Sequence, residues 1–300
     1  MNATLATPNR LVTVAAGVDL AVHDTSGPDV AAGPPVVLLH GLASTHRWWD
    51  LVADRLPDRR LIWFDHRGHG QSSTPPSGYT VESFADDAAV VLDALATGPC
   101  VIAGHSLGAT VALELAARRP DLVAGLCLID GGIYDPHILF GASWWEAQYR
   151  MLLNRRIAPT PAMLTAWARG HGLPPAAVPA LLANYQPEPT TAPDHHRPAG
   201  LRLAVEHEIQ AARSLWRHDP AATLAATAAP TIAVLARPGD PAAAATHLQA
   251  LLHTLDRAGR IVPVRWIDGG HDLPLEQPGH VAAAITRLAD TVSAHHGADA

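Results

Sequence analysis

The sequence predicts an α/β fold: a mostly parallel, doubly wound sheet covered on both faces, with a helical segment inserted into it. Three observations carry that expectation. Short, continuously apolar runs alternate with helical patterns from residue 11 to residue 131; the alternation stops near Ile133; and it returns at Thr231. A strand apolar along its whole length must be covered by helices on both sides, as in parallel sheets. A gap of that length is far longer than an ordinary connection and must carry structure of its own.

The elements follow in order. Residues 11–14 and 18–22 flank an Ala-Gly turn and read as an opening hairpin. Then come a strand at 35–39, a helix at 48–56, a strand at 60–64, a helix at 81–95, a strand at 100–103, a helix at 109–118 and a strand at 125–129. In the gap, helices are expected at 143–155, 161–168, 175–184 and 201–216, separated by Pro-rich punctuation. The sheet pattern resumes with a strand at 231–235, a helix at 242–255, a strand at 261–267 and a helix at 281–293, and residues 294–300 read as a frayed tail. The domain division expected is therefore a core of 1–132 and 226–300 with a helical cap at 133–225.

Composition narrows the chemistry. Three hundred residues suggest about two domains at roughly 150 residues each, although α/β units often reach about 250 residues as one body. With 28 acidic against 21 basic side chains the formal charge is −7, which argues against an electrostatic hold on nucleic acid. Every basic residue is Arg and none is Lys, so Schiff-base chemistry and the phosphate-binding Gly-Lys-Ser/Thr loop are excluded. Cys100 and Cys127 are too few for a disulfide framework, and each lies in an apolar run expected to be buried. The amino terminus lacks a basic, apolar secretory pattern, and residues 220–236, the longest stretch free of charged residues and histidine, are broken by Pro230 and too short for a membrane helix of about 20 residues. A cytoplasmic protein acting on a small molecule, with no membrane or nucleic-acid partner, is expected.

The decisive segment is Val101-Ile102-Ala103-Gly104-His105-Ser106-Leu107-Gly108, a strand running at once into Gly-x-Ser-x-Gly and then into a helical pattern. A serine on a tight strand-to-helix turn holds its oxygen clear of the main chain, and glycines two residues either side let neighbouring backbones approach. The turn also places Ser106 at a helix amino terminus, whose unpaired N–H groups favour developing negative charge.

With that motif in place the chain resembles the α/β-hydrolase superfamily, in its serine-nucleophile branch, over nearly its whole length apart from the insertion. Leu38-Leu39-His40-Gly41-Leu42 resembles the family's oxyanion loop, and Asp65-His66-Arg67-Gly68-His69-Gly70-Gln71-Ser72 the loop after the following strand. The resemblance implies that the backbone N–H groups of Leu42 and Leu107 form an oxyanion hole. Epoxide hydrolases and haloalkane dehalogenases are similar but need a carboxylate where Ser106 stands.

A serine hydroxyl needs a histidine to take its proton. Of 18 histidines, His271 is the best placed, because it follows the last apolar strand through Gly269-Gly270; the family places its histidine there too. His295 and His296 read as solvated tail residues. His195 and His196 lie in a Pro-flanked loop, and no metal-binding pattern supports a built site there, so no metal is expected. The histidine in turn needs a carboxylate to fix its tautomer. Asp240, directly after the strand at 231–235, matches the usual family position and is preferred; Asp130, at the end of the strand at 125–129, is the alternative acid, taken by some relatives. Asp65 is expected to order its own loop through Arg67.

Four of eight tryptophans fall in the insertion, and Trp48 follows the oxyanion loop. Trp48, Trp144 and Trp145 are therefore expected to line an apolar substrate pocket. Arg150, Arg155 and Arg156 can bind a carboxylate but read more simply as the polar face of a cap helix. The leading expectation is a cofactor-independent serine hydrolase cleaving an ester, lactone or thioester of a largely apolar small molecule. A carbon–carbon bond hydrolase using the same residues, and a non-catalytic ligand-binding relative, are the alternatives.

Overall fold

The computed structural model describes residues 8–27, 33–152, 160–186 and 200–298. Ten strands occur among them: β1 (Arg10–Ala15), β2 (Val18–Asp24), β3 (Val36–Leu39), β4 (Leu61–Phe64), β5 (Cys100–His105), β6 (Val123–Ile129), β7 (Tyr185–Gln186), β8 (Gly200–Leu201), β9 (Thr231–Arg237) and β10 (Val264–Asp268). Eight form one sheet in the order β1-β2-β4-β3-β5-β6-β9-β10, and β7 pairs with β8 separately. The β1–β2 and β2–β4 pairs are antiparallel, and every pair from β4 to β10 is parallel. β3, β4 and β5 are buried on both faces, which is why their sequences are apolar apart from His105 at the end of β5.

The helices are α1 (Asp50–Ala53), α2 (Val81–Ala94), α3 (Leu107–Arg118), α4 (Pro136–Phe140), α5 (Trp144–Leu152), α6 (Pro161–Gly170), α7 (Val178–Ala183), α8 (Val205–Arg217), α9 (Pro220–Ala225), α10 (Pro241–Ala258), α11 (Leu273–Glu276) and α12 (Pro278–Ala298). Their starts follow capping chemistry: Thr80, Asp135, Thr160, Asp219 and Asp240 each accept a backbone N–H of the first turn.

Alternate residues of each inner strand feed two cores. Val37, Leu39, Ile62 and Ile102 pack with Phe84 of α2 and Val111 of α3. Val36, Leu38, Val101 and Cys127 pack on the other face with Val52 of α1 and Ile285 and Leu288 of α12. Cys100 and Cys127 are free and buried, and burial pushes their thiols up, to about 11 and about 12. Both are unreactive core side chains at neutral pH.

Several boundaries differ from the sequence expectation. The helix expected at 48–56 is a 3₁₀ turn (His46–Trp49) followed by the single turn α1. The last strand begins at Val264, three residues late, because Pro263 cannot donate to a ladder. The helix expected from 201 starts at Val205, since Gly200 and Leu201 pair with Tyr185 and Gln186. The tail is helical through Ala298.

Candidate active site

Ser106 sits between β5 and α3 with φ 55° and ψ −118°. A non-glycine residue there is strained by about 1–3 kcal/mol and needs surroundings that over-determine it. Those surroundings are main chain. A Cβ on Gly104 would lie 2.1 Å from the Gly108 carbonyl oxygen, and one on Gly108 would lie 2.1 Å from that of Leu39. The turn is locked from both sides by close backbone approach, and the Ser106 N–H donates to the Ile129 carbonyl at 3.0 Å.

His271 arrives from the end of β10 through Gly269 and Gly270. Its Nε2 lies 3.0 Å from Ser106 Oγ, and its Nδ1 lies 2.6 Å from Asp130 Oδ2. Asp130, at φ 43°, ends β6, the strand beside β5. Its Oδ1 accepts the Ala236 N–H at 2.9 Å and faces the Tyr134 hydroxyl at 3.5 Å.

The preference for Asp240 is thereby corrected. Asp240 stands past β9, one strand further from Ser106, and its carboxylate accepts the Ala243 N–H at 2.8 Å as the cap of α10. The chain turns straight into that helix, and among the described residues it is Asp130, not Asp240, whose carboxylate is bonded to His271.

Electrostatics follow the same contacts. Burial opposes ionisation of Asp130, yet the hydrogen bond and charge of His271 hold its carboxyl below the usual range. Partial loss of hydration pulls the His271 imidazole, whose side chain is still 56% exposed, down, but its bond to Asp130 and that carboxylate's charge prevail and push it up to about 9. A second carboxylate shapes the same loop: Glu276 accepts the N–H groups of Gly270 and Asp272.

The loop after β3 packs against Ser106, since a Cβ on Gly41 would lie 3.2 Å from Ser106 Cβ. Two histidines shape it. His40 Nδ1–H donates to the Gly41 carbonyl (2.8 Å) while its Nε2 accepts the His66 N–H (3.0 Å). His69 Nδ1–H donates to the Arg67 carbonyl (2.9 Å) while its Nε2 accepts the Ala43 N–H (3.1 Å), at a residue with φ 57°. Each ring is thus a defined neutral tautomer. Among the described residues the Leu42 N–H meets no acceptor, and Leu107 is the first residue of α3, where N–H groups have no intrahelical partner.

Asp65 does order its loop, but not through Arg67. It accepts the His46 N–H (2.7 Å) and Gln71 N–H (2.9 Å) and contacts His46 Nδ1 (3.0 Å). Burial resists its charge, but His46 holds its carboxyl well below the usual range. Arg67 instead forks onto Asp87, with Nε at 2.7 Å from Oδ2.

A cavity of about 790 Å³ opens above Ser106, Asp130 and His271. Its apolar wall includes Leu42, Tyr134, Leu139, Phe140, Met151 and Leu215; Thr110, Arg150, Glu208, His218 and His247 add polar atoms. None of the three expected tryptophans lines it. Trp48 is buried in the core. Trp144 packs on Trp216, with ring centroids 5.9 Å apart and the Arg213 guanidinium over its face. Trp145 is 79% exposed. A helix turns about 100° per residue, so only contacts with neighbouring helices decide which tryptophan turns inward, and here Ala147 takes the buried position of α5. Arg150 does line the cavity, while Arg155, Arg156, His195 and His196 lie outside the described residues. Among the described residues no three His, Cys, Asp or Glu side chains converge to hold a metal, and no helix is long and apolar enough to cross a membrane.

Tyr134, Glu276 and His105 are contacts of the site that sequence reasoning passed over. Only His105 carried a signal, its place within the Gly-x-Ser-x-Gly motif.

A 2-(acetamidomethylene)succinate hydrolase from Mesorhizobium japonicum is 39% identical over 108 residues, which span 36% of this chain and 38% of that relative. Lipase LipV of Mycobacterium tuberculosis is 39% identical over 103 residues, 34% of this chain and 39% of the lipase. The crystal structure of E-2-(acetamidomethylene)succinate hydrolase superposes with a TM-score of 0.73 at 25% identity, over 94% of this chain and 98% of that one. An esterase from Thermogutta terrifontis superposes at 0.64 with 24% identity, over 95% and 98%, a likeness of fold. The profile of the α/β hydrolase fold matches residues 34–189, just over half of the chain, and the chain belongs to that family.

Proposed function

We propose that the protein is a serine hydrolase that cleaves a carboxylic ester, lactone or thioester of a largely apolar small molecule through an acyl-enzyme. The observation that carries this reading is the unbroken chain Ser106 Oγ to His271 Nε2 at 3.0 Å and His271 Nδ1 to Asp130 Oδ2 at 2.6 Å. In the first step Ser106 Oγ attacks the substrate carbonyl carbon while its proton passes to His271 Nε2. The imidazolium so formed is stabilised by Asp130, which also keeps the proton on Nδ1 and the lone pair on Nε2. Negative charge on the carbonyl oxygen is met by the N–H groups of Leu42 and Leu107, each such donor supplying about 3–4 kcal/mol. His271 then returns the proton to the leaving oxygen or sulfur, and water repeats the sequence to release the acid.

The apolar wall favours an acyl or alkyl body. The helices between β6 and β9 act as the cap over it, contributing Phe140, Met151 and Leu215 to the cavity. The hydrolase names of the relatives agree with the reaction class.

The test is labelling with a fluorophosphonate and mapping the adduct by mass spectrometry, alongside turnover of a panel of nitrophenyl esters, lactones, thioesters and one β-diketone. Label on Ser106 is expected, and Ser106→Ala should lower kcat by on the order of a millionfold with the fold retained. Absence of label with no turnover in the panel assigns the protein to ligand binding; cleavage of the diketone alone moves the assignment to carbon–carbon hydrolysis.

A further inference from the structure

His105, the residue before the nucleophile, reaches the base rather than the serine. Its side chain is 2% exposed. Its Nε2 lies 2.8 Å from the carbonyl oxygen of His271, and the two rings are 4.9 Å apart at 44°. A carbonyl can only accept, so the proton of His105 is on Nε2. On its other side the ring is boxed in. A Cβ on Gly41 would lie 3.2 Å from His105 Nδ1, the Trp48 indole stacks at 6.4 Å, and Nδ1 has no hydrogen-bond partner.

We propose that His105 is a positioning residue for His271: by donating its Nε2–H to the His271 carbonyl it sets the height of the base over Ser106 and links the oxyanion loop to the base loop. The inference rests on the serine-hydrolase reading above, because it assigns His271 the role of base.

The argument is geometric. His271 follows two consecutive glycines, so its main chain has no steric memory of its own. Two groups constrain the loop. Glu276, at the end of α11, holds the N–H groups of Gly270 and Asp272. His105 holds the intervening carbonyl from β5, the element that also carries the nucleophile. The Ser106 to His271 distance is therefore set by adjacent residues of one strand end. Lost here, that constraint leaves the ring free to shift by a fraction of the 3.0 Å separation from Ser106 Oγ, and proton transfer is steeply sensitive to such displacement. Burial, with a smaller contribution from His271, pushes the His105 imidazole down to about 3, so the donor persists as a neutral ring across the working pH range. The titratable groups facing it are His271 and Asp130, and neither competes for its Nε2–H.

The test uses the full chain with His105→Leu and His105→Gln. Leu removes the donor and roughly keeps the volume; Gln keeps a donor near the Nε2 position. Leu is expected to lower kcat by about ten- to a hundredfold with KM within twofold, to slow fluorophosphonate labelling of Ser106 in parallel, and to broaden or shift the low-field proton resonance of the His271–Asp130 bond. Gln is expected to restore most of each. Equal losses in both variants, or a Leu variant with unchanged kcat and an unchanged low-field resonance, overturn the proposal in favour of simple packing. If the Leu variant does not fold, nitrogen resonances of wild-type His105 decide: a protonated, slowly exchanging Nε2 is expected, and an Nδ1–H tautomer overturns it. The resonances need no turnover, so they separate failure of this inference from failure of the hydrolase reading, which unlabelled wild-type protein would signal.

Discussion

At the strand ends, Gly104, Gly108, Gly131 and Gly132 bring main chain against main chain, so that a Cβ at any of them would fall within 2.7 Å of a backbone atom. Above the same cavity, between β6 and β9, Trp145, Tyr149, Met163 and Trp167 stand 41–79% exposed, and α5 and α6 each bury a single alanine. The floor is over-determined and the roof is loosely specified. A reaction needs fixed sub-ångström geometry, whereas recognition of an apolar body needs only shape and area.

The sharpest way to break this contrast is at the two aspartates. Asp130→Asn should lower kcat by about ten-thousandfold through the wrong His271 tautomer. Loss of the carboxylate should also move the acidic limb of kcat/KM downward, because Asp130 is what holds His271 up near 9; in the wild type that limb should lie above pH 6.5. Asp240→Ala should leave turnover intact and cost about 1 kcal/mol of stability through the lost α10 cap. Denaturant melts and steady-state rates separate the two, and the opposite pattern would restore Asp240 as the acid.

The floor should also be the more acid-sensitive region. Burial, foremost, pushes His23 down to about 4 and His66 and His105 to about 3, and lowers His40 well below its ordinary value. These rings accept protons on unfolding near pH 6.5 but not in the native state. Their contribution is therefore present above pH 6.5 and falls as pH drops toward 4, by up to about 1.4 kcal/mol per pH unit for each ring. His271 runs the other way: its raised value favours the fold below pH 6.5, an advantage lost as pH rises through about 9. Urea midpoints at pH 7 and pH 5 should show a clear drop; a flat midpoint would remove the floor's distinction.

The smallest effects belong to the roof. Phe140→Ala and Leu215→Ala should each reduce kcat/KM by about tenfold for long acyl chains and little for acetyl esters, while Trp145→Ala should stay within twofold for both. Chain-length profiles of the three variants check this, and a large Trp145 effect would show that the exposed face takes part in binding.

The same division explains what could be read without coordinates. Gly-x-Ser-x-Gly between a strand and a helix, and a histidine after the last strand, are local patterns enforced by backbone sterics, so Ser106 and His271 were legible. The choice between Asp130 and Asp240 was not, because both end a strand; it depends on the sheet order β5-β6-β9-β10, which no local pattern encodes. The tryptophans misled for a related reason. Trp48 follows soon after the loop at His40–Leu42 in sequence yet turns into the core with Trp49 and Val52, and α5 presents Trp145 to solvent because helix docking, not composition, sets its rotation. His105 was visible as a motif letter, but its contact with a residue 166 positions away is tertiary information.

The glycine contacts beneath Ser106 have a consequence for how this chain can be diversified. Where backbone rests on backbone there are no side chains to repack, so added volume must be absorbed by displacing a strand or a helix, and neutral drift at those positions is closed. Variation in substrate choice is freest in the stretch between β6 and β9, which supplies Leu139, Phe140, Met151 and Leu215 to the cavity wall. A library meant to retune this protein should randomise Leu139, Phe140, Met151 and Leu215 and leave every residue from Gly104 to Gly108 untouched.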